Sequence, residues 1–227
     1  MFVEKNALLL DMNSTFMFGE DRFGENQDFS VHYKEIGGTL SELEVNQIIL
    51  SVYKYLDEIY INEKYRHNFP SVENTIEEIA KRVLSKEETL KLVDTFAFHE
   101  LGYIPQEYVE ALFTLRKHFI LSVVIDIWSP KKAWLDTFDA AGIKPLFSAT
   151  SFSSDHGMVK PSPKPFELVL NQLNLSKEEC LVIGDSVRRD LGGAKAAGLD
   201  CVLVGGAKDN QAIGSFPTLL DMCREIV

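Results

Sequence analysis

The stretch Cys180-Leu-Val-Ile-Gly184-Asp185-Ser186-Val-Arg-Arg-Asp190-Leu-Gly-Gly-Ala-Lys-Ala-Ala-Gly198-Leu-Asp200-Cys-Val-Leu-Val204 decides the fold class. Cys180–Gly184 is a continuous apolar run, the pattern of a strand covered on both faces. Ser186–Ala197 reads as a helix, with Gly198 as its stop. Asp200–Val204 is a second apolar strand. Two such strands joined by a helix pair in parallel, because only a crossover connection can return the chain to the same edge.

The same rhythm extends in both directions. Ser162-Pro163 opens a helix whose apolar positions are Phe166, Leu168, Val169 and Leu173. Lys144–Ser148 reads as a short strand. Ser129 and Pro130 read as a helix cap and first-turn proline, opening a helix that ends at Gly142. Phe119–Asp126 and Ala7–Asp11 are further strands, and Pro217–Val227 is a final helix. The expected fold is α/β: a Rossmann-like parallel sheet of about five strands with helices on both faces. Residues 20–100 depart from this alternation. Val45–Tyr60 and Thr75–Phe98 carry apolar residues at helical spacing, such as Ile48, Ile49, Val52, Tyr53, Leu56 and Ile59, and Pro70 separates the two groups. An all-helical insertion is expected there, with Gly102–Pro105 marking the return to the sheet.

Composition limits the function. The 227 residues carry 23 Lys+Arg against 34 Asp+Glu, a net charge of −11, with 45% apolar residues. This is a globular composition, and its acidity argues against binding nucleic acid or an anionic membrane, both of which need clustered basic residues. Cys180, Cys201 and Cys223 are odd in number and match no metal spacing, so they read as small buried hydrophobes in a reducing compartment. No secretory signal is expected, since the first apolar run stops at Asp11. The longest apolar run, Phe119–Trp128, contains Asp126 and is too short to span a bilayer. A cytoplasmic protein is expected. No glycine-rich dinucleotide fingerprint follows the first strand.

Ligands of open α/β sheets bind beyond the carboxyl ends of the strands. Asp11, Asn13 and Thr15 follow the first strand and Asp126 the second. Lys160 lies in the loop after the third, and Asp185, Ser186 and Asp190 follow the fourth. A carboxylate at a strand end, as Asp11 is, can act as a nucleophile. Crowded acids repel one another unless a cation sits among them, so the cluster predicts one divalent ion, and oxygen donors suit Mg²⁺. Lys160 supplies a fixed positive charge.

Leu8-Leu-Leu-Asp-Met-Asn-Ser-Thr15, Lys160-Pro-Ser-Pro-Lys-Pro-Phe166 and Ile183-Gly-Asp-Ser-Val-Arg-Arg-Asp190 resemble the first, third and fourth motifs of the haloacid dehalogenase superfamily. The resemblance covers nearly the whole chain. It implies a core of residues 1–18 and 103–227, and a helical cap of the C1 type at residues 19–102. It further implies Asp11 as nucleophile, an aspartyl-phosphate intermediate, and Mg²⁺ held by Asp11, the Asn13 carbonyl, Asp185 and Asp190. Lys160, Thr15, Asp126 and Ser186 would meet the phosphoryl group of a small phosphorylated substrate, in a monomer or homodimer.

Three positions depart from the family pattern. Asn13 stands where phosphatases of the family carry a second Asp, and an amide cannot transfer a proton. Ile125, followed by Asp126, aligns with the usual Ser or Thr of the second motif, and Ser14 replaces a glycine. The expected function is a Mg²⁺-dependent phosphatase-like hydrolase of reduced activity. The alternatives are a non-catalytic ligand-binding relative and a 2-haloacid dehalogenase. Arg22, Arg66, His67 and His99 are cap-side candidates for an anionic substrate tail. Arg188 and Arg189 read as surface residues, and Phe16–Gly24 as packing of cap on core.

Overall fold

The computed structural model describes residues 4–227. In chain order the elements are β1 (Ala7–Leu10), α1 (Ser30–Glu35), α2 (Glu42–Tyr60), α3 (Val72–Ile79), α4 (Lys86–Glu100), α5 (Gln106–Arg116), β2 (Ile120–Ile125), α6 (Lys132–Ala140), β3 (Phe147–Phe152), α7 (Ser153–His156), α8 (Lys164–Leu173), β4 (Cys180–Gly184), α9 (Gly192–Ala197), β5 (Asp200–Leu203), β6 (Gly214–Ser215) and α10 (Leu219–Ile226). The six strands form one parallel sheet in the order β3-β2-β1-β4-β5-β6.

Side chains alternate across this sheet, so each strand feeds two cores. Leu8, Leu10, Val123, Leu181, Ile183 and Val202 join Leu112, Leu115, Trp134, Phe138 and Met222 on one face. Ala7, Leu9, Val124, Val182, Cys201 and Leu203 join Phe166, Val169 and Ala194 on the other. Leu10 lies opposite both Val123 and Ile183, and the Asp11 N–H donates to the Ile183 carbonyl at 2.8 Å. The strand ends are therefore level at the point where β1 is flanked by β2 and β4, the switch point of the topology.

Several boundaries differ from the sequence reading. The third strand runs from Phe147, not Lys144. Lys144–Leu146 forms a single 3-10 turn containing Pro145, which has no N–H to give a ladder. The second helical group is two helices, because Ser85 accepts from the Glu88 N–H and starts α4 afresh. A sixth strand, Gly214–Ser215, is too short and too polar to show in the pattern. The helix after β2 begins at Lys132 and Ser129 does not cap it. The stretch after Gly184 opens with a π turn, Val187–Leu191, before α9, and Gly198 closes it at φ +73°.

The helices α1–α4 enclose an apolar cluster that includes Phe23, Tyr33, Val45, Ile49, Val52, Leu56, Ile76, Leu92 and Phe96. The chain enters and leaves this unit through reciprocal bonds between Phe18 and Tyr103, at 2.9 and 2.8 Å. Gly102 is required there, since a Cβ would stand 2.5 Å from the Phe18 carbonyl oxygen. Phe16 packs in the sheet core and Phe23 in the helical cluster. All three cysteines are buried and unpaired. No helix of the described residues is long and apolar enough to cross a membrane.

Candidate active site

The level strand ends bring the conspicuous residues together. Lys160 is 2% exposed, and its Nζ lies 2.6 Å from Asp11 Oδ1 and 2.7 Å from Asp190 Oδ1. The second oxygen of Asp190 accepts from the Ser186 N–H at 3.0 Å. Asp190 reaches this place because residue 184 is glycine: a Cβ there would fall 2.2 Å from the Asp190 Cγ. One carboxylate oxygen from each of Asp11, Asp185 and Asp190 lies within 4.8 Å of the others.

Burial, aided by the neighbouring Asp190, pushes the Asp11 carboxyl up to about 7. Asp185 is raised for the same two reasons. Burial alone would disfavour the Lys160 ammonium, but attraction from Asp11, Asp190 and Asp126 outweighs it and holds Lys160 above its ordinary value. Lys160 is thus a permanent positive charge.

The donor set fits a hard divalent cation, being all oxygen. Both oxygens of Asp190 are engaged. Among the described residues, Asp185 Oδ1 is buried without a hydrogen bond, 3.5 Å from Arg189 Nη2. Asn13 Oδ1 and Thr15 Oγ1 are likewise buried without partners. The Ser186 hydroxyl accepts from the Arg189 N–H at 3.2 Å, so it caps the π turn.

The end of the second strand sends its two adjacent residues to different places. Ile125 is buried in the sheet core, and Asp126 stands at the mouth. Asp126 Oδ2 accepts from the Tyr60 hydroxyl at 2.6 Å and from the Lys160 N–H at 2.8 Å. Its Oδ1 is buried with no partner among the described residues.

Tyr60, at the end of α2, was not anticipated at the site. Arg189 was expected at the surface, yet it faces Asp185. The Arg188 guanidinium lies 5.6 Å from the centre of the Tyr60 ring. Glu100, the last residue of α4, accepts from the Trp128 and Ser129 N–H groups at 2.6 and 2.9 Å, and so anchors the loop that carries Asp126. The four cap-side candidates are occupied elsewhere. Arg22 donates to the carbonyls of Gly19, Leu101 and Phe98. His99 is buried against Phe23 and Phe29, and burial lowers it to about 4. Arg66 pairs with Glu63, and His67 meets the Ser162 hydroxyl.

Burial, with Asp21 nearby, raises Glu100 to about 7. A carboxyl raised above its unfolded value binds more protons in the native state, so its stabilising contribution is present at low pH and falls as pH rises toward 7. Glu100→Gln removes that dependence. Between pH 5 and 8 the wild-type chain should lose about 3 kcal/mol of stability relative to the variant. Thermal melts at both pH values measure this, and parallel curves for the two proteins would refute it.

A family model described as haloacid dehalogenase-like hydrolase matches residues 5–198. The chain belongs to the haloacid dehalogenase-like hydrolases. A relative in that family, Pyrophosphatase PpaX of Halalkalibacterium halodurans, is 28% identical over 207 residues, covering 83% of this chain and 94% of the relative. A HAD phosphatase structure from Thermococcus onnurineus superposes with a TM-score of 0.62 at 22% identity, over 97% of both chains. A 2-haloacid dehalogenase structure from Pseudomonas syringae pv. Tomato DC3000 gives a TM-score of 0.64 at 17% identity, also over 97% of both chains. At these identities the structures speak for the shared fold and not for one chemistry over the other. This haloacid dehalogenase-like hydrolase therefore has to be read from its own mouth residues.

Proposed function

We propose that the chain is a Mg²⁺-dependent phosphatase-like hydrolase of small phosphorylated metabolites, acting through an aspartyl-phosphate on Asp11. The observation that carries this reading is the buried Asp11–Lys160–Asp190 bridge beside Asp185 at the strand mouth. The pyrophosphatase relative supports phosphoryl chemistry.

In the first step the Asp11 oxygen bonds to phosphorus as the bond to the leaving oxygen breaks. In the second, water displaces Asp11 and phosphate departs. The Lys160 ammonium offsets charge on the phosphoryl oxygens, with Thr15, Ser186 and Asp126 around them. Asp11, Asp185 and the Asn13 carbonyl would hold Mg²⁺, with Asp190 orienting the set, and the ion would relieve repulsion between carboxylate and phosphate. Residues 19–102 act as a cap on a core of 1–18 and 103–227, and Tyr60 is the cap side chain that reaches the mouth. Asn13 cannot serve as acid or base, and loss of such a group costs about 10²–10⁴ in rate, so turnover is slow beside a site with Asp there.

The test is phosphate release from a panel of phosphate esters by the purified chain. Release that requires Mg²⁺ and stops with a chelator is expected. The Asn13 amide favours a second reading, a ligand-binding relative without turnover. A wild-type chain inert on every ester, beside an active Asn13→Asp variant, would establish that reading instead. Halide release from a 2-haloacid without added metal would point to dehalogenation.

A further inference from the structure

We propose that Asp126 is the proton-transfer residue of this site, supplying from the second strand the acid and base that Asn13 lacks, with Tyr60 and the Lys160 main chain as its positioning groups. The assignment rests on the phosphatase reading above.

Asp126 leaves the sheet at the mouth and is tied to the residue that holds the nucleophile. Its Oδ2 accepts from the Lys160 N–H, while the Lys160 ammonium bridges Asp11 and Asp190. The two ends of its carboxyl group are not equivalent. Oδ2 accepts two hydrogen bonds, whereas Oδ1 is buried and unpartnered among the described residues. A carboxylic acid has this asymmetry, with one oxygen as acceptor and the other carrying a proton to give away.

The charges at the mouth favour the acid form. Among the described residues, Asp11, Asp126, Asp185 and Asp190 face Lys160 and Arg189 as cationic partners, and the Lys160 ammonium is hydrogen-bonded to Asp11 and Asp190. Arriving phosphate adds negative charge, and Asp126 can be neutralised without breaking the ammonium bridge and, unlike Asp185, is not one of the acids that would hold the cation. Burial raises Asp126, against the pull of Lys160, Tyr60 and Arg189. Tyr60 is itself raised well above its ordinary value by burial and by Asp126, so its hydroxyl remains a donor. Because Tyr60 belongs to α2, proper orientation of Asp126 depends on the helical unit being seated over the sheet.

The proton balance closes. As Asp11 bonds to phosphorus, the Oδ1 proton passes to the departing oxygen and Asp126 becomes a carboxylate. A water then gives its proton to Asp126 while its oxygen bonds to phosphorus. The bond from phosphorus to Asp11 breaks, phosphate leaves, and Asp126 is again an acid.

Leaving groups separate this role from a merely structural one. A p-nitrophenolate departs without a proton, whereas the alkoxide of glycerol 2-phosphate needs one. With Mg²⁺ and the full chain, Asp126→Asn should lower kcat/KM, which reports the steps through departure of the leaving group, about 10²-fold or more on glycerol 2-phosphate and less than about tenfold on p-nitrophenyl phosphate. Adding Asn13→Asp to that variant should restore alkyl turnover, because a carboxyl is then back at position 13. Tyr60→Phe, which removes only the hydroxyl donor, should show the same selectivity more weakly. A wild-type series of phosphates with graded leaving-group pKa should give a shallow dependence of kcat/KM, a measurement independent of how any variant folds.

Equal losses on both esters, no rescue by Asn13→Asp, or a steep wild-type dependence would each overturn the assignment of Asp126 while leaving Asp11 chemistry intact. Failure of the wild-type chain to hydrolyse either ester would overturn the phosphatase reading, and this assignment with it.

Discussion

Asp11→Asn is expected to end phosphate release, with kcat down by about four orders of magnitude or more, the scale seen when a covalent nucleophile is removed. The substitution changes one oxygen to nitrogen in a side chain of the same shape. Its remaining oxygen can still accept from Lys160, so the bridge to Asp190 need not collapse. Asp11 is only 6% exposed and lies on the first residue past β1, where the main chain is held by the bond to Ile183. Circular dichroism and melting should therefore show a folded protein while phosphate release is lost. The loss should be equally severe on aryl and alkyl esters, since both need the nucleophile. That pattern sets Asp11 apart from Asp126, whose replacement spares leaving-group departure from the aryl ester. A variant that keeps turnover within tenfold of wild type would remove Asp11 from the mechanism.

Residues legible in the sequence were those whose position follows from the chain alone. β1 and β4 are runs of buried apolar residues, and an acid directly after such a run must stand at the sheet's mouth. The sequence places Asp11 and Asp185 there by that rule, and Lys160 and Asp190 by the strand loops and motifs to which they belong. What the sequence hid depends on packing between distant segments. Tyr60 closes a helical stripe like any other amphipathic residue, and nothing in the 3.6-residue period reveals that its hydroxyl meets Asp126. Glu100 looks like a helix-end acid until the loop at Trp128 and Ser129 is folded against it.

Strand register decides which of Ile125 and Asp126 faces the cleft. A slip of one residue exchanges the two sides of a strand, so Ile125 and Asp126 trade core for cleft on a single step of alignment. The cap-side candidates already have protein partners. Isolated basic residues near a hinge are readily taken up by free carbonyls, as Arg22 is by three of them. Charged groups identify a site only when several converge, as they do around Lys160.

Lys160→Met should destabilise the chain strongly. Methionine nearly matches the lysine stem in length and volume, so little cavity is added. What is lost is the ammonium bonded to both Asp11 and Asp190, which are 6% and 0% exposed. Breaking a buried pair by removing one partner costs about 3–5 kcal/mol, because the charge left behind has neither water nor counter-ion. For a chain of this size each kcal/mol lowers Tm by about 2–4 °C, which predicts a fall of roughly 6–20 °C. Two further measurements distinguish this electrostatic cause from a packing defect. Asp11→Asn in the Lys160→Met background should recover part of the lost stability, because it removes one of the stranded carboxylates. Added Mg²⁺ should raise the Tm of Lys160→Met more than that of the wild-type chain, since a cation can take over the missing charge. A Tm within about 2 °C of wild type would mean that the acids are solvated or neutral without Lys160, and the bridge could not then be what holds the nucleophile in place.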